Sequence, residues 1–147
     1  GFSVTGDHLP TSLPKTDFAW DIDPPSFRSV LTEASSYGLP IVVTENGLAD
    51  ASDKNRARFI TEHLYQAGLA IQNGVDLRGY FYWALMDNFE WDSGYCPKFG
   101  LYSVDPKTAA RTQRSSALTY KSIIAQGTVR ADAAASLPPY SAPTLCP

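Results

Sequence analysis

The chain has 147 residues, 44% hydrophobic and 18% charged, a size and balance that fit one ordinary domain with a buried core and exclude a disordered polymer. The net charge of −3, with no basic run, argues against nucleic acid and against an anionic membrane surface as partner. No apolar run approaches transmembrane length.

Residues 1–20 lack helical or strand period and are punctuated by Gly1, Gly6, Pro10 and Pro14, so they read as a long loop ending at Trp20. The start, Gly1-Phe2-Ser3-Val4, is neither a signal peptide nor an initiating methionine, and the expectation is that the chain begins inside a longer protein. Asp23-Pro24 opens a helix with an N-cap acid followed by proline at the first helical position. Phe27, Val30, Leu31, Ala34 and Tyr37 follow at helical spacing, and Gly38 closes the helix.

Ile41-Val42-Val43 begins a buried strand over 41–45, which stops at Thr44-Glu45-Asn46-Gly47, where Asn-Gly marks a turn. A polar loop over 48–52 precedes a helix expected from Asp53 to Gln72, with Phe59, Ile60, Leu64, Ala67 and Ile71 as its apolar stripe. Arg56 and His63 lie two turns apart on one face of that helix and read as structural, the arginine paired with a carboxylate and the histidine packed or hydrogen-bonded. Asn73-Gly74 ends the helix. The apolar run Leu77 to Met86 is the second strand, with its core at 79–85.

A polar, aromatic loop follows over 87–95. Phe99 to Val104 reads as a short extended return, Asp105-Pro106-Lys107-Thr108 as a turn, and Ser115 or Ser116 as the cap of a last helix that runs to about Gln126. Residues 131–147, rich in Ala, Ser and Pro, read as an extended or mobile tail separate from the body at 1–130. Cys96 and Cys146 offer no metal spacing and no Cys-x-x-Cys pair; a single bridge and two free thiols both fit.

Helices alternating with apolar strands predict an α/β fold, a parallel sheet covered by helices. Two strands do not complete such a domain. Either the remaining strands come from chain outside this sequence, the better reading, or this is a small open sheet whose exposed edges carry an aggregation liability. Glu45 falls at the C-terminal end of the first strand, and Glu90-Trp91 just beyond the second; ligands of α/β folds bind on that side. Carboxylates accept hydrogen bonds from vicinal hydroxyls and an indole stacks on the CH face of a pyranose, so this chemistry suits a sugar. The Gly-rich amides or Arg cluster that a phosphate calls for are absent.

The stretches Ile41-Val42-Val43-Thr44-Glu45-Asn46-Gly47 and Gly79-Tyr80-Phe81-Tyr82-Trp83-Ala84-Leu85-Met86-Asp87-Asn88-Phe89-Glu90-Trp91 resemble glycoside hydrolase family 1, the retaining β-glucosidase family. Gly94-Tyr95, Lys98-Phe99-Gly100-Leu101, Val104-Asp105, Trp20-Asp21 and the helix carrying Asp53, Arg56 and His63-Leu64 extend the likeness over residues 16–126, in order and spacing. The resemblance implies the C-terminal third of a (β/α)8 barrel, with these strands as its seventh and eighth. It implies hydrolysis of β-glucosides by double displacement with Glu45 as nucleophile. It further implies Trp83 as the platform under the sugar, Glu90 and Trp91 as binders of its hydroxyls, Phe99 along the O6 side and Trp20 at the mouth. No cofactor or metal is implied.

The intact Glu90-Trp91 pair implies non-phosphorylated glycosides. Asn46 is read as shaping the turn. The general acid/base, which this family carries in an Asn-Glu-Pro motif, has no counterpart in the chain. The resemblance therefore implies an N-terminal barrel segment as partner. Without it, the alternative is a non-catalytic sugar-binding or split-barrel fragment.

Overall fold

A computed structural model describes residues 12–146. Three helices, α1 (Pro24–Ser35), α2 (Arg56–Gln72) and α3 (Ser115–Gln126), accompany four strands, β1 (Ile41–Gly47), β2 (Leu77–Trp83), β3 (Tyr102–Val104) and β4 (Arg111–Gln113). β1 and β2 pair in parallel, and β3 and β4 pair antiparallel as a separate two-stranded sheet. This is a partial α/β fold whose sheets are small and unclosed. β4 lies outside the expected elements: three exposed residues carry too little apolar pattern to announce a strand.

Helices cover one face of the β1–β2 pair. Leu31, Val43, Ala67, Ala70 and Val75 form one buried cluster, and Ile22, Leu48, Phe59, Ile60, Tyr82, Leu101 and Ala117 form another. The opposite face is open: Val42 is 48% exposed and Phe81 62%. The apolar stripe expected on the first helix is only partly used. Leu31 is buried and Phe27 half-buried, while Val30 and Tyr37 face out.

The second helix begins at Arg56 rather than Asp53, and the reason is capping. Asp53 has φ 59°, outside the helical region, while the carboxylate of Asp50 accepts from the N–H groups of Asn55 (2.8 Å) and Arg56 (3.1 Å). Asp53 turns instead to the last helix, accepting from Ser116 N (3.1 Å), Ser116 Oγ (2.6 Å) and Ser115 Oγ (2.9 Å). Neither Ser115 nor Ser116 is the cap; both lie inside α3 and donate to a distant carboxylate.

The Ala/Ser/Pro-rich segment opens with a short 3-10 helix, Ala133–Ser136, then runs extended, and it is docked on the body. Ser141 N donates to Asn55 Oδ1 (2.8 Å), Tyr140 to Glu62 (2.7 Å) and Thr144 N to Asp17 (2.7 Å). Arg58 donates to the carbonyls of Ala134, Leu137 and Pro138. Cys96 and Cys146 form a disulfide, which settles the choice the sequence left open and ties this strap to the loop after β2. Among the described residues, no helix is long and apolar enough to cross a membrane.

Candidate active site

The two strands deliver their C-terminal ends side by side. Gly47 pairs with Trp83, and a Cβ on Gly47 would lie 1.7 Å from the Trp83 carbonyl oxygen, so only glycine permits this approach. Four residues upstream the register shifts. Val43 pairs with Tyr80 and Asn46 with Tyr82, so three steps along β1 match two along β2. This is a β-bulge carrying one extra residue in β1. In an unbroken strand Val43 and Glu45 would share the helix-covered face. Across the bulge Val43 is buried, Thr44 and Glu45 are both exposed, and Asn46 turns inward to accept a hydrogen bond from Tyr80 (2.8 Å). The bulge therefore puts the Glu45 carboxylate in solvent at the end of the strand.

Trp83 is half-buried at the end of β2 and packs, as Phe18 does, against the buried group of Ala49, Ala84 and Phe99. Phe99 is buried beneath this group rather than exposed on it. Phe18 lies 6.0 Å from Phe99 and stacks on Trp20 at 4.8 Å with a 17° interplanar angle, leaving Trp20 59% exposed. Trp20, Phe18 and Phe99 thus make one aromatic wall, which Trp83 joins through the buried group of Ala49, Ala84 and Phe99. Phe18 was not singled out from the sequence, although its place two residues before Trp20 is a usable signal.

The loop between residues 84 and 101 is closed at its base by backbone bonds. Ala84 N donates to Phe99 O (3.2 Å), Leu101 N to Ala84 O (2.9 Å) and Asp87 N to Tyr102 O (3.0 Å). Arg114 grips Asp87 with both guanidinium nitrogens (2.8 and 2.9 Å), largely out of solvent. Gly100 fits against this base because a Cβ there would lie 2.3 Å from Asp87 N. The loop carries Glu90 and Trp91 out from the end of β2. Glu90 binds the loop through its backbone, N to Gly94 O (2.7 Å), and one of its carboxylate oxygens is buried without a partner. Trp91 is 83% exposed at φ 52°. Phe89 and Tyr95 meet edge-on beside it at 5.2 Å.

Arg56 braces the site from below. Fully buried, it donates to Tyr82 Oη (3.0 Å), to Lys98 O (2.7 Å), to Asp50 O and to Asp53. Tyr82 in turn donates to Phe99 O (3.2 Å) and accepts from Leu48 N (3.3 Å), so one buried pair ties together the exits of both strands and the return of the loop. Burial pushes the Tyr82 hydroxyl up to about 12, with Arg56 pulling against that. Burial also raises the Asp53 carboxyl, but the Ser116 bonds and the Arg56 charge outweigh it, and the group lies below its ordinary value. His63 stacks on Phe59 at 3.8 Å, with Nδ1 2.9 Å from Phe59 O, and burial lowers it to about 4. Both residues have the structural partners expected of them.

The arrangement offers an exposed carboxylate, an aromatic wall and a loop carboxylate with spare acceptor capacity. That set can hold hydroxyls and present a nucleophile. Among the described residues, no group of three His, Cys, Asp or Glu is placed to hold a metal ion.

Comparison with known proteins gives the same direction. Residues 3–128 match the family model described as glycosyl hydrolase family 1. A β-galactosidase of Sulfolobus acidocaldarius is 44% identical over 113 residues, covering 76% of this chain and 23% of its own length. A bifunctional β-D-glucosidase/β-D-fucosidase of Bifidobacterium breve is 38% identical over 84% of this chain and 30% of its own. Among solved structures, a β-glycosidase from Pyrococcus horikoshii superposes with a TM-score of 0.80 at 41% identity, covering 85% of this chain and 30% of that one. The chain therefore spans roughly a quarter to a third of the length of such relatives.

Proposed function

The chain belongs to glycosyl hydrolase family 1, and on that premise we propose that it supplies the nucleophile and part of the sugar site of a retaining β-glucosidase. Residues 1–130 are the C-terminal segment of a (β/α)8 barrel, with β1 and β2 as its seventh and eighth strands, and residues 131–147 are a tail, strapped across it over 131–146. The relatives' printed activities support a β-glucoside, β-galactoside or β-fucoside as substrate. The observation that carries this reading is the bulge at the end of β1, which turns Glu45 out of the core beside the paired end of Trp83.

In this reading Glu45 attacks the anomeric carbon from one face of the sugar while an acid protonates the leaving oxygen from the other. The glycosyl ester is then released by water, which the same acid, now a base, deprotonates. Trp83 lies under the pyranose. Glu90 accepts from sugar hydroxyls, and Trp91 donates its indole N–H beside it. Phe99 backs the platform and bounds the O6 side, and Trp20 stacks the leaving group at the mouth. The acid/base comes from an N-terminal barrel segment that also covers the open face at Val42 and Phe81.

The test is Glu45→Gln in the enzyme that carries this segment. Turnover of an aryl β-glucoside is abolished while the fold, followed by circular dichroism, is retained; near wild-type turnover would sink the assignment. A second reading, a split-barrel fragment without catalysis of its own, is favoured by the absence of an Asn-Glu-Pro motif. Here the chain alone is inert on p-nitrophenyl β-glucoside and gains activity on mixing with a fragment carrying the earlier strands.

A further inference from the structure

The bulge at Thr44–Glu45 costs the strand its alternation, so something must hold it. A one-residue slip at this point would return Glu45 to the helix-covered face and expose Asn46. The contact that opposes the slip comes from β2. Tyr80 Oη lies 2.8 Å from Asn46 Oδ1 and 3.4 Å from Asn46 O, so one hydroxyl meets both the side chain and the backbone of the residue after Glu45. The Tyr80 ring is itself locked. It lies edge-on to Phe27 and Tyr120, each 6.4 Å away, and it belongs to both main core clusters. Tyr120 also donates to the Tyr80 carbonyl (3.3 Å).

No other side-chain hydrogen bond to residues 44–46 occurs among the described residues. Thr44 and Glu45 face solvent, and Asn46 alone turns back into the protein. The direction in which Glu45 points thus depends on a residue anchored in the core on the far side of the sheet.

We propose that Tyr80 is a positioning residue for Glu45: its hydroxyl, held by the core and bonded to Asn46, fixes the β-bulge that presents the Glu45 carboxylate to the substrate. This rests on the reading of Glu45 as the nucleophile. Tyr80 touches neither sugar nor reacting atoms and acts through the backbone at 44–46. Removing its hydroxyl therefore slows the attack on the anomeric carbon more than it weakens substrate binding.

The experiment uses the active enzyme that carries this segment, with sites counted by stoichiometric trapping with an activated 2-deoxy-2-fluoro-β-glucoside. Tyr80→Phe keeps the ring and removes the hydroxyl. Its kcat per titrated site falls about tenfold to a hundredfold, the order expected for a reacting group displaced by about 1 Å, while KM moves by less than about threefold. Asn46→Leu produces a similar fall, and the double variant falls no further than the worse single one, because both changes cut the same contact. Three results overturn the proposal: an unchanged kcat per site in Tyr80→Phe, losses confined to the number of titratable sites, or fully additive losses in the double variant. Glu45→Gln, run in parallel, separates the two readings. If it is inactive while Tyr80→Phe turns over normally, only the positioning role fails; if it is active, the nucleophile assignment fails and the proposal with it.

Discussion

Replacing Arg56 by methionine is expected to cost about 3 kcal/mol of stability, at the low edge of the range of about 3–5 kcal/mol seen when one partner of a buried ion pair is removed. The structure sets this size. Methionine fills the stem's volume, so the loss lies in what the guanidinium leaves behind. Tyr82 Oη keeps Phe99 O as acceptor and Leu48 N as donor. The carbonyls of Lys98 and Asp50 keep backbone partners in Asp50 N (3.0 Å) and Asp53 N (3.3 Å). Asp53 keeps its serine donors but loses its one ion-pair partner among the described residues while its side chain is 12% exposed. The residual cost is therefore mainly one uncompensated carboxylate.

Urea denaturation at neutral pH measures this loss. The gap between wild type and Arg56→Met should narrow as pH falls through the carboxylate range, because protonating Asp53 removes the stranded charge. Arg56→Lys, which keeps the charge but not the planar fork, should lose roughly half as much. An unfolding free energy for Arg56→Met within about 0.5 kcal/mol of wild type, the scatter of ordinary surface substitutions, would refute the reasoning. So would a gap that is independent of pH.

Two further predictions concern the body and the strap. His63 lies at about 4 when folded against 6.5 as a free group, so the unfolded chain takes up its proton first as pH falls. Its contribution is complete above about pH 6.5 and is lost between there and about pH 4. At 1.36 kcal/mol per unit this amounts to about 3 kcal/mol, and His63→Leu should remove that part of the pH slope in denaturation midpoints. Cys96→Ser opens a cross-link of sequence separation 50 and should cost about 2–4 kcal/mol, with protease cleavage moving first into residues 131–146. Equal cleavage rates with and without the disulfide would show that the strap's hydrogen bonds hold it unaided.

Periodicity and capping chemistry located α1, β1, α2, β2 and α3, because each has an apolar pattern long enough to exceed local noise. The sequence also marked Glu45 as a carboxylate late in the strand. The Asn-Gly turn expected to stop the strand at 45, with Asn46 shaping it, does not form: β1 runs on through Gly47, because Asn46 pairs with Tyr82 and Gly47 with Trp83. Arg56 was legible as well: a charge at a stripe position of α2 must find a partner. The start of α1 was legible in Asp23-Pro24, whereas the start of α2 and the cap of α3 were not. Asp53, the expected first residue of α2, serves α3 instead, and only the chain path decides that Asp50 takes its place.

What local pattern does not encode is which side of the sheet a residue takes once the register shifts. A strict alternation from Val43 puts Glu45 in the core; the extra residue opposite β2, held by Tyr80, puts it in solvent. Register is a property of two strands together, so it emerged only when they were paired. The same holds for the strap over 131–146, whose partners Asp17, Asn55, Glu62 and Cys96 are distant in sequence, and for the wall of Trp20, Phe18, Phe99 and Trp83, assembled from three segments. The sequence by itself named the candidates, a carboxylate late in one strand and a carboxylate and indoles beyond the next, because side-chain type and apolar pattern are local. Tertiary structure decided where they point, because facing, burial and pairing depend on contacts far apart along the chain.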